Sequence, residues 1–266
     1  MNGGIYMNVL ITGCASGIGK ALSKYFVNEG HNVYGIDLNV ANIDGVKSFK
    51  ASITDREKLE EIKNSLKEDV VLDAIINVAG IHMMASLVES DYEKMKRLLD
   101  INLSGTMLVN RVFHELLDPK GRIVIVTSEV AGMDPMPFNG LYNVSKTALD
   151  CYAQALRQEL NLIGQKVITI RPGAIKTPLA DGSIKDTAAL AATTNLYKKQ
   201  AHKFSNIAMK FMGTPIEPEK ISKLIYKATT KKHPKLIYKK HQNLGLVLLN
   251  ILPKKMQCFV IKTLLK

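Results

Sequence analysis

The chain has 266 residues, 46% of them hydrophobic and 23% charged, with 18 Gly, 9 Pro and three Cys. A chain of this size and composition buries a core without disulfides or metals, which excludes a disordered chain, a collagen-like repeat and a small secreted scaffold. Its formal net charge of +12 is unevenly placed: up to Tyr197 there are 20 basic and 22 acidic residues, whereas from Lys198 onward 16 lysines face only Glu217 and Glu219.

In chain order, residues 7–12 (MNVLIT) read as a buried strand running into glycines, and 16–29 as a helix ended by Gly30. Strands follow at 32–37 and, more weakly, at 46–50, then a charged helix at 55–67 and an apolar strand at 71–77. Residues 91–117 form a long helical segment, with Leu98, Ile101, Met107, Leu108 and Val112 at helical spacing. The β-branched run RIVIVT at 122–127 is a strand, 141–163 a helix and 166–171 (KVITIR) a strand. A helical insert at 184–212, a helix at 217–230 and a short strand at 235–238 precede the tail from Asn243. Alternating strands and helices predict an α/β fold, a doubly wound, Rossmann-type parallel sheet of about seven strands with helices on both faces. With no repeat and no low-complexity linker, 1–266 reads as one domain. Its segment 184–230 is helical and on the substrate side, and 243–266 is a basic, apolar tail.

Cys14, Cys151 and Cys258 make no closed disulfide framework and have no metal-ligand spacing, so a reducing compartment and no metal are expected. No cationic segment precedes an apolar one at the N-terminus, and the longest apolar stretch, near 244–252, is short of the roughly 20 residues of a membrane span. The expected location is the cytoplasm, with peripheral contact at a membrane surface as an extension of it.

The first strand opens into Thr12-Gly13-Cys14-Ala15-Ser16-Gly17-Ile18-Gly19. Glycines there allow tight turning and close backbone approach to a pyrophosphate, which the positive N-terminal end of the next helix also attracts. Asp37 ends the second strand, 18 residues after Gly19; a carboxylate there accepts from ribose hydroxyls and repels a 2′-phosphate. No basic residue follows Asp37, and Ser16 rather than a cation precedes Gly17, so NAD is preferred over NADP.

Tyr142 and Lys146 stand at i and i+4, on one face of the helix predicted at 141–163. A nearby ammonium stabilises a phenolate, and such a tyrosine exchanges protons near neutral pH. In this setting residues 7–238 resemble the short-chain dehydrogenase/reductase family. The likeness rests on the Thr12–Gly19 loop, Asn77-Val78-Ala79-Gly80, Asn102 in Ile101-Asn102-Leu103-Ser104-Gly105, the Tyr142/Lys146 pair, and Arg171-Pro172-Gly173 followed by Thr177.

The resemblance implies that Gly13, Ser16, Gly17, Ile18 and Gly19 frame the pyrophosphate, and that Asn77, Ala79 and Gly80 pass beside the adenosine. It implies Tyr142 as general acid/base, Lys146 on the nicotinamide ribose and lowering the tyrosine pKa, and Asn102 holding a relay water. Pro172, Gly173, Ile175 and Thr177 would border the nicotinamide. Two departures stand out. Ser52 occupies the place of an adenine-side Asp. The family's catalytic Ser usually lies 13 residues before the Tyr, where this chain has Glu129, with Ser128 one further back. Either the intervening loop is one residue longer and Ser128 serves, or Glu129 replaces the serine. A hydroxyl can donate to a substrate oxygen and an ionised carboxylate cannot, which favours Ser128.

His82, beside Met83 and Met84, and Met133, Met136 and Phe138 are candidates for an apolar substrate wall, with loop or core packing as the competing reading. In the tail, Lys255, Lys262 and Lys266 gather on one side of a helix and Val260, Ile261, Leu264 and Leu265 on the other, so that it docks on protein, on a second subunit or on anionic lipid. The lysines are not interleaved with stacking aromatics, so no nucleic-acid partner is expected. The leading expectation is an NAD-dependent oxidoreductase interconverting a secondary alcohol and its ketone, on an apolar, hydroxysteroid-like substrate. The resemblance adds a homo-oligomer, dimer or tetramer, built through 91–117 and 141–163. The alternative is a non-catalytic dinucleotide-binding or membrane-surface protein on the same fold.

Overall fold

Seven short segments, the central ones rich in Val, Ile and Leu, pair side by side in the computed structural model, which describes residues 6–211 and 214–266. The strands are β1 (Asn8–Thr12), β2 (Asn32–Asp37), β3 (Val46–Lys50), β4 (Leu72–Asn77), β5 (Leu117–Val126), β6 (Lys166–Pro172) and β7 (Ile237–Lys240). All neighbours are parallel, in the order β3-β2-β1-β4-β5-β6-β7. Strand order reverses between β1 and β4, and in such sheets the crevice at the carboxyl ends of these two strands receives the ligand.

Period-two alternation along the strands makes two cores. Leu10, Ile75, Ile123, Ile125 and Val167 face helices α2 (Arg56–Leu66), α4 (Thr106–Phe113) and α5 (Gly140–Asn161). Val9, Ile11, Ile76, Val124, Ile168 and Ile170 face α1 (Gly17–Asn28) and α8 (Pro218–Thr230), which pack on each other. A strand buried on both faces has no polar side to show, which explains why these runs are continuously apolar.

Four predicted boundaries change. The long helix at 91–117 divides into α3 (Tyr92–Leu99), a π-helical stretch (Asp100–Gly105), α4 and a short 3-10 turn (His114–Leu116). Its last predicted residue, Leu117, belongs instead to β5, which is longer than the RIVIVT run. The insert is two helices, α6 (Pro178–Ala189) and α7 (Lys198–Phe211), separated by a turn; its predicted end at Met212 lies outside the described residues. The tail is also two helices, α9 (Leu244–Ile251) and α10 (Lys254–Leu265), with Pro253 between them. Proline lacks the donor to continue α9 and suits the start of α10, so the amphipathic helix expected from Lys255 is α10 and a second helix, α9, precedes it in a hairpin. A third apolar cluster of Phe138, Leu190, Ala201, Phe204 and Leu265 ties the 129–139 loop, the insert and α10 together.

Candidate active site

The carboxyl ends of β1, β2 and β4 open into one cavity of about 1040 Å³. Gly13, Ser16, Gly17, Ile18 and Gly19 line it, with Asp37, Ala79 and Gly80 beside them. The glycines are there for space. Gly13 has φ +72°, and a Cβ on it would stand 2.9 Å from the Ala79 amide nitrogen; a Cβ on Gly19 would stand 2.0 Å from the Gly13 carbonyl oxygen. Loop and helix therefore nest without side chains, which leaves a backbone cradle at the N-terminus of α1 fitting a dinucleotide pyrophosphate. The Asp37 carboxylate accepts the Ala15 amide at 3.0 Å and the Asn39 amide at 3.1 Å, so it both braces this loop and borders the cavity. Ala51, Ser52 and Ile53 line the same end; the Ser52 hydroxyl lies 2.7 Å from that of Thr54. Pro172, Gly173, Ile175 and Thr177 also line it, with Thr177 packed beside Gly17.

Asn77 and Asn102 do not line the cavity. Asn77 is buried behind it, its Nδ2 donating to Asn110 Oδ1 at 2.8 Å. Asn102 clamps the Ile81 peptide on both sides: its Oδ1 accepts from Ile81 N at 2.8 Å, and its Nδ2 donates to Ile81 O at 2.9 Å. Nδ2 also donates to Ser145 Oγ at 3.0 Å, and that hydroxyl donates to the Tyr142 carbonyl. The π-helical stretch carries Asn102 into this position. Its side chain thus fixes the loop after β4 to the helix that bears Tyr142.

Tyr142, Lys146 and Ser128 all line the cavity and are largely buried. The Lys146 ammonium nitrogen lies 5.8 Å from the Tyr142 ring centre and 3.5 Å from the Val126 carbonyl. Burial pulls Lys146 down to about 8 and pushes Tyr142 up to about 12. A hydrogen bond from Ser128 lowers the tyrosine, and the Glu129 charge raises it. At Tyr142 loss of water outweighs the neighbours.

Ser128 and Glu129 both line the cavity but differ in their partners. Ser128 acts on Tyr142 to lower its pKa, whereas Glu129 Oε2 accepts the Asn243 amide at 2.6 Å, at the start of α9. Asp134 repeats the pattern: its amide donates to Asn250 Oδ1 at 2.7 Å, its carboxylate accepts from Gln257 at 2.7 Å, and it pairs with Lys254. The loop between Ser128 and Tyr142 is therefore the dock for the tail. Leu246, Leu249 and Leu252, with Val260 and Leu264, complete the apolar end of the cavity, opposite Phe204, Ile207 and Ala208. Sequence reading missed this wall, although the apolar run at 244–252 was its visible signal.

Of the proposed substrate wall, His82 and Met136 line the cavity, as does Met84. The His82 ring lies 4.4 Å from the Tyr142 ring centre, and its Nε2 is 3.0 Å from Asn139 Oδ1; burial lowers its pKa. Phe138 and Met133 are corrections. Phe138 packs on Phe204 and Tyr197 in the third core cluster, and Met133 borders a separate small pocket behind the loop. Phe138 has a φ of +64°.

The sequence pattern of the family described as short chain dehydrogenase matches residues 7–188. An NADPH-dependent 1-acyldihydroxyacetone phosphate reductase of Schizosaccharomyces pombe is 35% identical over 180 residues, 64% of this chain and 60% of that one. This chain therefore spans less than two thirds of that relative's length. A 3-ketodihydrosphingosine reductase of Bacteroides thetaiotaomicron is 26% identical over 232 residues, 85% of this chain and 84% of that one. Among solved structures, a short chain dehydrogenase family protein of Francisella tularensis superposes with a TM-score of 0.74 at 23% identity, covering 88% of this chain and 96% of that one. A 3-ketoacyl-(acyl-carrier-protein) reductase of Brucella melitensis, complexed with NADH, gives 0.71 at 20% identity, covering 88% and 96%. At these identities the structural likeness speaks for the fold alone.

Proposed function

The chain belongs to the short-chain dehydrogenase family, and on that premise we propose that it is an NAD-dependent oxidoreductase interconverting a secondary alcohol and its ketone. The observation that carries the reading is the convergence of Tyr142, Ser128 and Lys146 on the cavity whose other end is the glycine cradle. When bound, the dinucleotide supplies or accepts a hydride at nicotinamide C4. The remaining work falls to the protein. Tyr142 gives its phenolic proton to the carbonyl oxygen in reduction and takes the hydroxyl proton in oxidation. The Ser128 hydroxyl holds the Tyr142 oxygen and donates to the reacting oxygen. Lys146 supplies positive charge beside the phenol and a donor to the nicotinamide ribose. Asn102, holding Ile81 and Ser145, keeps the loop after β4 in register with that helix.

Asp37 supports NAD over NADP, because its carboxylate borders the cavity where a 2′-phosphate would lie. The S. pombe relative is by name NADPH-dependent, so this chain's preference rests on its own carboxylate. The apolar end of the cavity supports an apolar substrate, either a ketone with a long alkyl or acyl chain or a hydroxysteroid-like ring system. Two relatives are named for long-chain ketones, which favours the former. A homo-oligomer through α3, α4 and α5 belongs to the same proposal.

The test is NADH and NADPH oxidation with a panel of long-chain and ring ketones. Turnover should favour NADH, and Asp37→Ser should shift the kcat/KM ratio toward NADPH by at least about tenfold. Tyr142→Phe should cut kcat by a factor of about 10² to 10⁴ while cofactor binding persists. The absence of turnover by the parent chain on every ketone, with cofactor bound, would leave the non-catalytic alternative standing.

A further inference from the structure

Helix α9 is apolar on nearly every side, yet only one side of it is covered. Leu246 and Leu249 turn into the cavity, while Leu244, Leu248 and Ile251, at i, i+4 and i+7, stand 75%, 66% and 73% exposed. A helix apolar all round is ordinarily buried on every side. On α10, Phe259 and Met256 are likewise exposed, while Leu265 and Ile261 pack on the insert. Leu248, Ile251 and Leu264 are at once cavity wall and exposed surface, so the apolar patch is the rim of the cavity mouth. Lys255, Lys262 and Lys266 on α10 are exposed, while Lys254, also exposed, is paired with Asp134 of the loop beneath the hairpin.

From this juxtaposition we infer that the α9–α10 hairpin seats the cavity mouth on an anionic lipid surface, through which an apolar substrate enters. The occupant follows from charge and continuity. Exposed leucines and phenylalanine supply the apolar contact, and lysines beside them are attracted to anionic headgroups. A second copy pairing through the same face would bring two lysine sets together, because a twofold interface opposes a patch to itself. No helix among the described residues is long and apolar enough to cross a membrane, so the contact is peripheral. The route for substrate rests on the proposed reductase reading; the docking does not.

The experiment is co-sedimentation of the full chain with vesicles of phosphatidylcholine alone and of phosphatidylcholine with about a third phosphatidylserine. Binding should require phosphatidylserine and fall as salt rises. Leu244 and Phe259 lie on the patch but outside the cavity wall, so Leu244→Ser with Phe259→Ser should lower partitioning about tenfold. Lys255→Ala and Lys262→Ala should each lower it about fivefold. Melting temperature, NADH binding and turnover of a short water-soluble ketone should be unchanged in these variants. Failure of the parent to bind anionic vesicles, undiminished binding by the variants, or a dimer that Leu244→Ser and Phe259→Ser dissolve would overturn the docking. An active chain that ignores vesicles sinks this inference alone; a vesicle-bound chain without turnover sinks the reductase reading alone.

Discussion

Glu129 Oε2 accepts the backbone amide of Asn243 at 2.6 Å, which links the residue after Ser128 to the first turn of the tail. Asn243 in turn caps α9, its Oδ1 accepting from Leu246 N at 3.2 Å. One carboxylate thereby sets where the apolar wall begins. Glu129, which stands at the usual spacing of the family's serine from Tyr142, is thus engaged with the tail.

Glu129→Ala should release α9. A hydrogen bond to a charged group contributes about 1.5–3 kcal/mol, so amide exchange over 244–251 should quicken by at least about tenfold. KM for an apolar ketone should rise more than kcat falls. Glu129→Gln keeps an acceptor and should retain docking. Burial raises the Glu129 pKa above the usual carboxylate range, so its contribution is complete below the ordinary value and lost as pH rises through the raised one. The Asn243 bond itself favours the ionised carboxylate, so it is the burial cost that grows with pH: this group's contribution to the parent's melting temperature should be greater near pH 5 than near pH 7, and level in Glu129→Gln. Equal exchange in the parent and Glu129→Ala would refute the anchor.

The sheet was legible in the sequence because strands buried on both faces announce themselves as unbroken apolar runs, and the glycine loop because only glycine fits where Gly19 meets Gly13. Tyr142 and Lys146 followed from helical spacing. What stayed open depended on contacts distant in sequence. Phe138 reads equally as pocket wall or core until its ring is seen packed on Phe204. The hold of Asn102 on Ile81 needs the π-helical turn, which no local pattern announces. The docking side of the tail could not be chosen from its own residues, because Glu129 and Asp134, which decide it, lie more than 100 residues earlier.

Two glycine substitutions separate cradle geometry from general helix effects. Gly19→Ala places a methyl 2.0 Å from the Gly13 carbonyl, a backbone atom that cannot move without reshaping the loop. NADH binding, read by fluorescence titration, should weaken by about tenfold or more, as expected when overpacking costs about 1–3 kcal/mol. Gly182 lies in α6 with nothing within 4 Å of an added Cβ. Gly182→Ala should leave binding unchanged and stabilise the protein by about 0.5–1 kcal/mol. Intact NADH affinity in Gly19→Ala would show that the cradle is not where the pyrophosphate sits.

Lys146 should cost stability at neutral pH. Burial lowers its pKa from 10.5 to about 8, so between those values the unfolded chain holds a proton that the folded chain has released. Stability from this group therefore rises with pH across that window, and below about 8 the full cost of roughly 3 kcal/mol is present. Tyr142 works in the opposite sense and at higher pH, since its raised value makes its contribution fall between 10 and about 12. Lys146→Met removes the buried amine in a side chain of similar length. In cofactor-free protein at pH 7 its melting temperature should exceed the parent's by several degrees, at about 2–4 °C per kcal/mol for a chain of this class. The gap should narrow as pH approaches 10, while turnover with any ketone is lost. A gap that stays constant from pH 7 to 10 would mean that packing, not the buried charge, sets the difference.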